Sequence, residues 1–256
     1  LLDGLKAGLP GCEITYFASE RGAPVFAGDH RVDRLWVAEL AAMSRQERWQ
    51  WGRRIRGAAF DVVFCLNEKF WPAIWAGMSG ATVRLGFDPG WLQTPKALLR
   101  RLTLTDWLPA ANDPALVSIH EVERYAGLAS LLPASLPVAG PLRLQPMPEA
   151  VKLQNLPGLP VALHLSAKWL GEGWPPDSCL RLANSLLDRF PELFLLVTAG
   201  PGEEKFFAGA ASVLPPQRYQ LLTQLPFGQW AGLLRGCRAL VSMDTGAVHL
   251  AAAVAT

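Results

Sequence analysis

No apolar run in this chain approaches the roughly 20 residues that a membrane-spanning helix requires. Nor does the start of the sequence read as a signal peptide. Charge is scarce, at 18% of 256 residues, and nearly balanced at a net +2. Nucleic-acid binding, which usually shows as a clustered basic excess, is not indicated by that balance. Only four cysteines occur, Cys12, Cys65, Cys179 and Cys237, and none forms a C-x-x-C pair. Each lies in or beside an apolar run, which fits buried free thiols in a reducing compartment better than disulfides or zinc. Phosphate-loop, nucleophile-elbow and zinc-protease signatures are absent. So is any Asp-x-Asp pair that could hold a divalent metal on a diphosphate.

What is present is half apolar, enough for a sizeable core in one large domain or two ordinary ones. Apolar β-rich runs alternate with helical patterns, which predicts an α/β fold with parallel sheets. In the first part the expected strands are 13–18, 34–38, 61–66 and 82–86, with helices over 39–56 and 72–78. Prolines crowd residues 132–160 (Pro133, Pro137, Pro141, Pro146, Pro148, Pro157, Pro160) and read as a stiff interdomain linker. Beyond it strands are expected at 160–165, 193–198, 219–222 and 239–242, and helices over 176–190, 203–211, 228–236 and from Gly246 onward. The natural packing is two doubly wound units facing across a cleft, with ligands beyond the carboxyl ends of the strands. The expected domains are 1–140, a linker at 141–159, and 160–256. Leu1, Leu2, Leu5 and Leu9 already show helical spacing with no cap before them, and Leu250 to Thr256 meets no glycine or proline stop. Both ends therefore read as cut.

The most telling segment is Asp244-Thr245-Gly246-Ala247-Val248-His249, where an apolar strand meets a tight polar turn and a small-residue helix. The first turn of such a helix offers unpaired N–H groups and the positive end of the dipole, a geometry suited to phosphate. Gly246 lets an anion approach the backbone, Thr245 adds a hydroxyl, and His249 lies one turn on. The same residues serve as well for an Asp244 N-cap and an ordinary helical histidine, and the segment alone does not choose. Gly200-Pro201-Gly202-Glu203-Glu204 reads as simple helix initiation, or as a carboxylate placed for ribose hydroxyls. In the loop after the first strand of this half, Lys168 is either solvated or a mobile counter-charge for a diphosphate. His120 and Arg124 share a helical face, and Lys96, Arg100 and Arg101 sit among Trp91, Leu98, Leu99 and Leu102. The arginines of 45–56 add a further basic stretch. Basic amphipathic segments can lie on anionic membranes, though most charge runs are solvated faces.

Taken in order, these residues resemble glycosyltransferase family 9, the heptosyltransferases of lipopolysaccharide core assembly. The resemblance covers nearly the whole chain. It rests on Asp61-Val62-Val63-Phe64-Cys65-Leu66-Asn67, Gly80-Ala81 with Arg84-Leu85-Gly86-Phe87, His120-Glu121-Val122-Glu123-Arg124-Tyr125, Trp174-Pro175, Gly200-Pro201 with Glu203, and above all Asp244-Thr245-Gly246 with His249-Leu250-Ala251-Ala252-Ala253. It implies a GT-B fold of two Rossmann-like domains, the first binding acceptor and the second a nucleotide-sugar. It further implies an inverting enzyme with neither metal nor cofactor, acting on ADP-heptose or a related donor, with an anionic glycan or glycolipid acceptor. By position, Ser166, Thr245 and Gly246 would contact the diphosphate, Glu203 the nucleoside and Asp244 the donor sugar. His249 would support that loop, and Asn67 and Arg124 would face the acceptor. The family's usual lysine two residues before Trp-Pro is Glu172 here, which leaves Lys168 as the substitute. The family's catalytic aspartate would lie upstream of Leu1, and a further strand would follow Thr256. The resemblance implies a cytoplasmic location, with peripheral contact at the inner membrane. Alternatives of the same architecture are a non-catalytic nucleotide-sugar-binding protein, another GT-B transferase with a different donor, and a nucleotide-sugar epimerase.

Overall fold

The computed structural model describes residues 1–67, 69–88, 95–109, 121–132, 136, 140, 142–153, 155–200, 202–203, 206 and 209–256. Trp91, His120, Pro133, Pro137, Pro141, Pro201 and Glu204, singled out above, lie outside them. The chain divides into two compact units, one of Leu1–Ala23 with Arg31–Gly140 and one of Pro24–His30 with Pro141–Thr256.

The first unit runs α1 (Leu2–Gly8), β1 (Thr15–Ala18), α2 (Ala23–Phe26, largely in the second unit), β2 (Arg34–Val37), α3 (Arg45–Gly57), β3 (Val62–Cys65), α4 (Phe70–Met78), β4 (Val83–Asp88), α5 (Pro95–Thr103), β5 (Asp106–Pro109) and α6 (Glu121–Ala129). Every strand pairing is parallel, β1 with β2, and β3 with β4 with β5. The helix expected over 39–56 begins only at Arg45. Ser44 is its N-cap, accepting from the Glu47 N–H at 3.2 Å while Glu47 accepts from the Ser44 N–H. This reciprocal capping box fixes the helix start six residues later than apolar spacing suggested. Three elements of this unit escaped the sequence reading, the four-residue α2 among them. Strand β5 is four residues long with both ends exposed, and α5 had registered only as a basic amphipathic stretch.

The second unit runs β6 (Leu159–Leu165), α7 (Ala167–Gly171), α8 (Pro176–Arg189), β7 (Leu193–Ala199), α9 (Ala210–Val213), β8 (Tyr219–Thr223), α10 (Phe227–Gly236), β9 (Ala239–Ser242) and α11 (Gly246–Val254). Its four strands form one parallel sheet in the order β8-β7-β6-β9. Strands buried on both faces read as continuous apolar runs, as β6 and β7 do. Val161, Leu163 and Leu165 pack toward α8, while Ala162 and Leu196 pack toward α10 and α11. Leu163, Leu165, Leu195 and Val197 are fully buried, and burial of each contributes about 1.5–3 kcal/mol. Of the helix expected over 203–211, residues 204, 205, 207 and 208 lie outside the described residues, and only its end is seen as helix. Gly209 takes φ 79, which no helix continues through, so α9 starts at Ala210.

Chain order steps from β6 to β7 to β8 on one side, and β9 then returns to the other side of β6. In open α/β sheets such a reversal opens a crevice beyond the carboxyl ends of the strands. The loops after β6 and β9 flank it.

Candidate functional site

Loop chemistry at this edge is set by the central position of β6. The turn after β7 is closed by the Glu203 N–H donating to Gly200 O at 3.1 Å, with Gly202 at φ 77. Only glycine adopts that angle without strain. The turn swings the Glu203 carboxylate back over its own start, where Oε2 accepts the Gly200 N–H at 2.9 Å. Its other oxygen crosses to the β6 loop and accepts the Ala167 N–H at 2.5 Å. A Cβ at Gly200 would lie 2.7 Å from Oε2, so any larger residue there would push the carboxylate from its place.

On the other side of β6 the link is cationic. Lys168 Nζ donates to Asp244 O at 2.7 Å and lies 3.5 Å from its Oδ2. The two side chains are 43% and 82% exposed, so this ion pair is worth little as stability. Its consequence is placement, because it holds a positive charge at the mouth of the β6–β9 crevice.

Thr245, not Asp244, is the N-cap of α11, its Oγ1 accepting the Ala247 N–H at 3.3 Å. Thr245 O accepts from Val248 N–H at 3.1 Å. Asp244 is thereby left projecting into solvent. Gly246 is exposed, and nothing lies within 4 Å of where a Cβ would stand, so open space adjoins the first residue of α11. His249 is also exposed, and its ring has no hydrogen-bond partner among the described residues. Ser166 Oγ is buried with no hydrogen-bond partner among them. A buried unsatisfied hydroxyl costs about 1–3 kcal/mol, a cost that a ligand oxygen would offset.

His164 lies inside the strand expected over 160–165 and was not among the candidate site residues. It is the penultimate residue of β6, in register with Thr198 on β7 and Ser242 on β9. Its Nδ1 lies 3.0 Å from Thr198 Oγ1, and its ring centroid 5.2 Å from that of Trp230 on α10. Burial holds the imidazole below its ordinary pKa, partly offset by the Glu203 carboxylate. The signal available in sequence was alternation, since His164 falls on the Ala162 side of an otherwise apolar strand.

The two residues carried over for the acceptor lie in the first unit. Asn67 Oδ1 accepts the Lys69 N–H at 2.8 Å, turning the chain into α4. Arg124 is 7% exposed on α6, its guanidinium 4.1 Å over the Phe87 ring and 5.7 Å from that of Tyr125. A cavity of about 530 Å³ lies elsewhere in this unit, beyond the ends of β1 and β2, lined by Glu20, Glu39, Glu47, Trp51 and Arg54 among others. Three carboxylates against one guanidinium make it a poor site for a diphosphate. Among the described residues no three His, Cys, Asp or Glu side chains gather as a metal site would need.

Residues 48–256 match the family model for glycosyltransferase family 9 (heptosyltransferase). The chain belongs to glycosyltransferase family 9. It is thus a glycosyltransferase, and the edge described above lies within the matched span. Solved structures share its fold. The glycosyltransferase family 9 protein of Veillonella parvula superposes with a TM-score of 0.76 at 15% identity, covering 99% of this chain and 72% of that one. E. coli heptosyltransferase WaaC with ADP gives 0.69 at 22%, covering 99% and 78%. E. coli ADP-heptose lipopolysaccharide heptosyltransferase II gives 0.68 at 19%, covering 99% and 76%. No curated protein sequence matches the chain. With these neighbours the chain has an α/β fold of parallel sheets resembling the GT-B heptosyltransferases.

Proposed function

We propose that this family 9 glycosyltransferase is an inverting, metal-independent enzyme that moves a heptose or related sugar from an ADP-sugar to a lipopolysaccharide core or similar anionic glycan. The observation that carries the reading is the pairing of Lys168 with the Asp244 loop beside the open first turn of α11. Cation, amides and dipole there answer the charge of a diphosphate without a metal. WaaC, which shares the fold, was solved with ADP.

In this reading Lys168, Thr245, the Gly246 backbone and the orphan Ser166 hydroxyl receive the diphosphate. The Glu203 carboxylate has lone pairs left after its two amide bonds, and these accept from the ribose hydroxyls. Exposed Asp244 accepts from hydroxyls of the donor sugar, and His249 supports the loop. Asn67 belongs to the acceptor side, and Arg124 acts there through the Phe87 and Tyr125 rings it holds. A general base takes the proton of the acceptor hydroxyl, whose oxygen bonds to the anomeric carbon on the face opposite ADP. The anomeric C–O bond breaks, and its electron pair leaves with the diphosphate. Loss of one preorganised donor to that developing charge typically costs about 3–4 kcal/mol in barrier. The enzyme would work in the cytoplasm against the inner membrane; no described helix is long and apolar enough to cross one.

Calorimetry decides the donor half of the proposal. Glu203→Ala is expected to weaken ADP binding, and Asp244→Ala to weaken ADP-heptose binding more than ADP binding. Unchanged affinities in both variants would refute it. Nucleotide release from a donor panel, with and without truncated lipopolysaccharide acceptors, separates a transferase from a protein that only binds nucleotide-sugars.

A further inference from the structure

The cavity of the first unit shares no residue with the donor edge, and one of its walls is a single face of α3. Glu47, Gln50, Trp51 and Arg54 follow one another at three, four and seven residues from the first, the spacing of one helical side. Glu20, two residues beyond β1, and Glu39, two beyond β2, line it from the carboxyl ends of those strands. Its volume of about 530 Å³ falls within the roughly 300–1,000 Å³ of small-molecule sites. Ligands of parallel sheets bind at such strand ends.

Charge decides what can enter. The Arg54 guanidinium lies 4.2 Å over the Trp36 ring and 4.5 Å over that of Trp51. Neither it nor any of the three carboxylates forms an ion pair among the described residues. Glu47 Oε2 accepts the Ser44 N–H at 2.6 Å, and Glu39 Oε1 the Ala41 N–H at a long 3.5 Å. Glu20 is exposed and has no hydrogen-bond partner among the described residues. Carboxylates set around one opening repel each other, and a cleft lined by one sign draws in the other. A phosphate or carboxylate placed there would meet three like charges. A bare metal ion does not fit either, because the described acids ring the cavity without converging as a metal site needs. Nor does a simple amine suffice. An ammonium has three donors, fewer than the acceptors that three carboxylates and the Gln50 amide oxygen present. The matching ligand carries hydroxyls beside its positive charge. Trp51, Ala42 and Met43 supply an apolar part of the lining, against which the C–H groups of a sugar ring can lie.

We propose that this cavity binds an amino sugar, its ammonium group held among Glu20, Glu39 and Glu47 and its hydroxyls on the remaining carboxylate oxygens and Gln50. The inference goes beyond the transferase reading, since it draws on no residue of the donor edge. Its test reads binding rather than transfer, so either can fail without the other.

The test is calorimetry of the full chain, at mildly acidic pH, with a fully deacetylated glucosamine tetramer. Its N-acetylated counterpart and a glucose tetramer of the same linkage serve as uncharged comparisons, and spermine as a cation without hydroxyls. The glucosamine tetramer is expected to bind about tenfold or more tightly than the other three, and more weakly as salt is raised. Glu20→Gln and Glu39→Gln lie outside every helix and strand, so the fold does not depend on them. Each should weaken binding about tenfold, and the two together should abolish it. Glu13→Gln, at the opposite ends of the same strands and paired there with Arg34, should leave it unchanged. Absence of binding, equal affinity for an uncharged tetramer, or equal affinity for spermine would overturn the proposal. So would binding that survives the Glu20 and Glu39 substitutions, or that falls equally with Glu13→Gln.

Discussion

The carboxyl edges of the two units are built from similar parts and closed differently. In the second unit, side chains reach from one loop to the next. Glu203 after β7 holds the Ala167 amide after β6, and Lys168 after β6 holds the Asp244 loop after β9. In the first unit the loop after β3 closes on itself, Asn67 accepting from Lys69 and the Cys65 thiol donating to Asn67 O at 3.3 Å. Local closure starts a helix and leaves neighbouring loops independent. Crossed closure fixes three loops relative to one another before any ligand arrives, and such preorganisation is what stabilises developing charge cheaply. The difference follows from strand order, because β6 lies between β7 and β9 and its loop therefore has a partner on each side.

That contrast can be broken by substitution. Glu203→Ala removes the crossing bond to Ala167 together with the local one to Gly200. Charge-assisted bonds are worth about 1.5–3 kcal/mol each, so ADP affinity measured by calorimetry should fall about ten- to a hundredfold. Asn67→Ala in the first unit should leave ADP affinity unchanged, and an equal loss in both variants would erase the distinction. Gly200→Ala tests the same link without touching the carboxylate. The new methyl group displaces Oε2 from the turn, and about a tenfold weaker ADP affinity is expected. Lys168→Met should cost about tenfold as well, and should flatten the salt dependence of ADP binding.

A smaller effect concerns pH. The His164 pKa is depressed in the folded chain, so protonation favours the unfolded state. Stability linked to this group is therefore complete above the unfolded pKa, near 6.5, and is lost as pH falls through and below it. Denaturant midpoints of the wild-type chain should drop on acidification from pH 7, and His164→Gln should show a shallower drop. A parallel slope in the variant would assign the acid sensitivity elsewhere. The smallest effect is chemical. Burial pushes the Cys65 thiol up to about 11 and the Cys237 thiol to about 12. Mass spectrometry after brief thiol labelling should find half-buried Cys12 modified first and these two last.

How much of this was legible beforehand depends on range. Strands β6, β7 and β9 were readable within one residue, the first two because a strand buried on both faces must be apolar throughout. The start of α3 was written in Ser44-x-x-Glu47, a local capping code that apolar periodicity outweighed. The 203–211 helix misled because carboxylates after a glycine turn look like helix initiation, whereas the left-handed Gly209 stops any helix there. The loop residues at the carboxyl edge of the second unit could be singled out from motif and strand ends, but their mutual bonds could not. Asp244 reads locally as the cap, and only the folded turn shows Thr245 taking that role and freeing Asp244.

By itself the sequence determined the α/β class, the parallel strands of the second half, and the family signature that runs from Asp244 to Ala253. These are properties of neighbouring residues, set by burial, backbone conformation and capping over a few positions. Tertiary structure decided which loops touch, which hydroxyl is left without a partner, and which side of α3 lines a cavity. Those outcomes depend on strand order and on how each helix is rotated, and residues 36 and 76 positions apart become partners only once the sheet has closed.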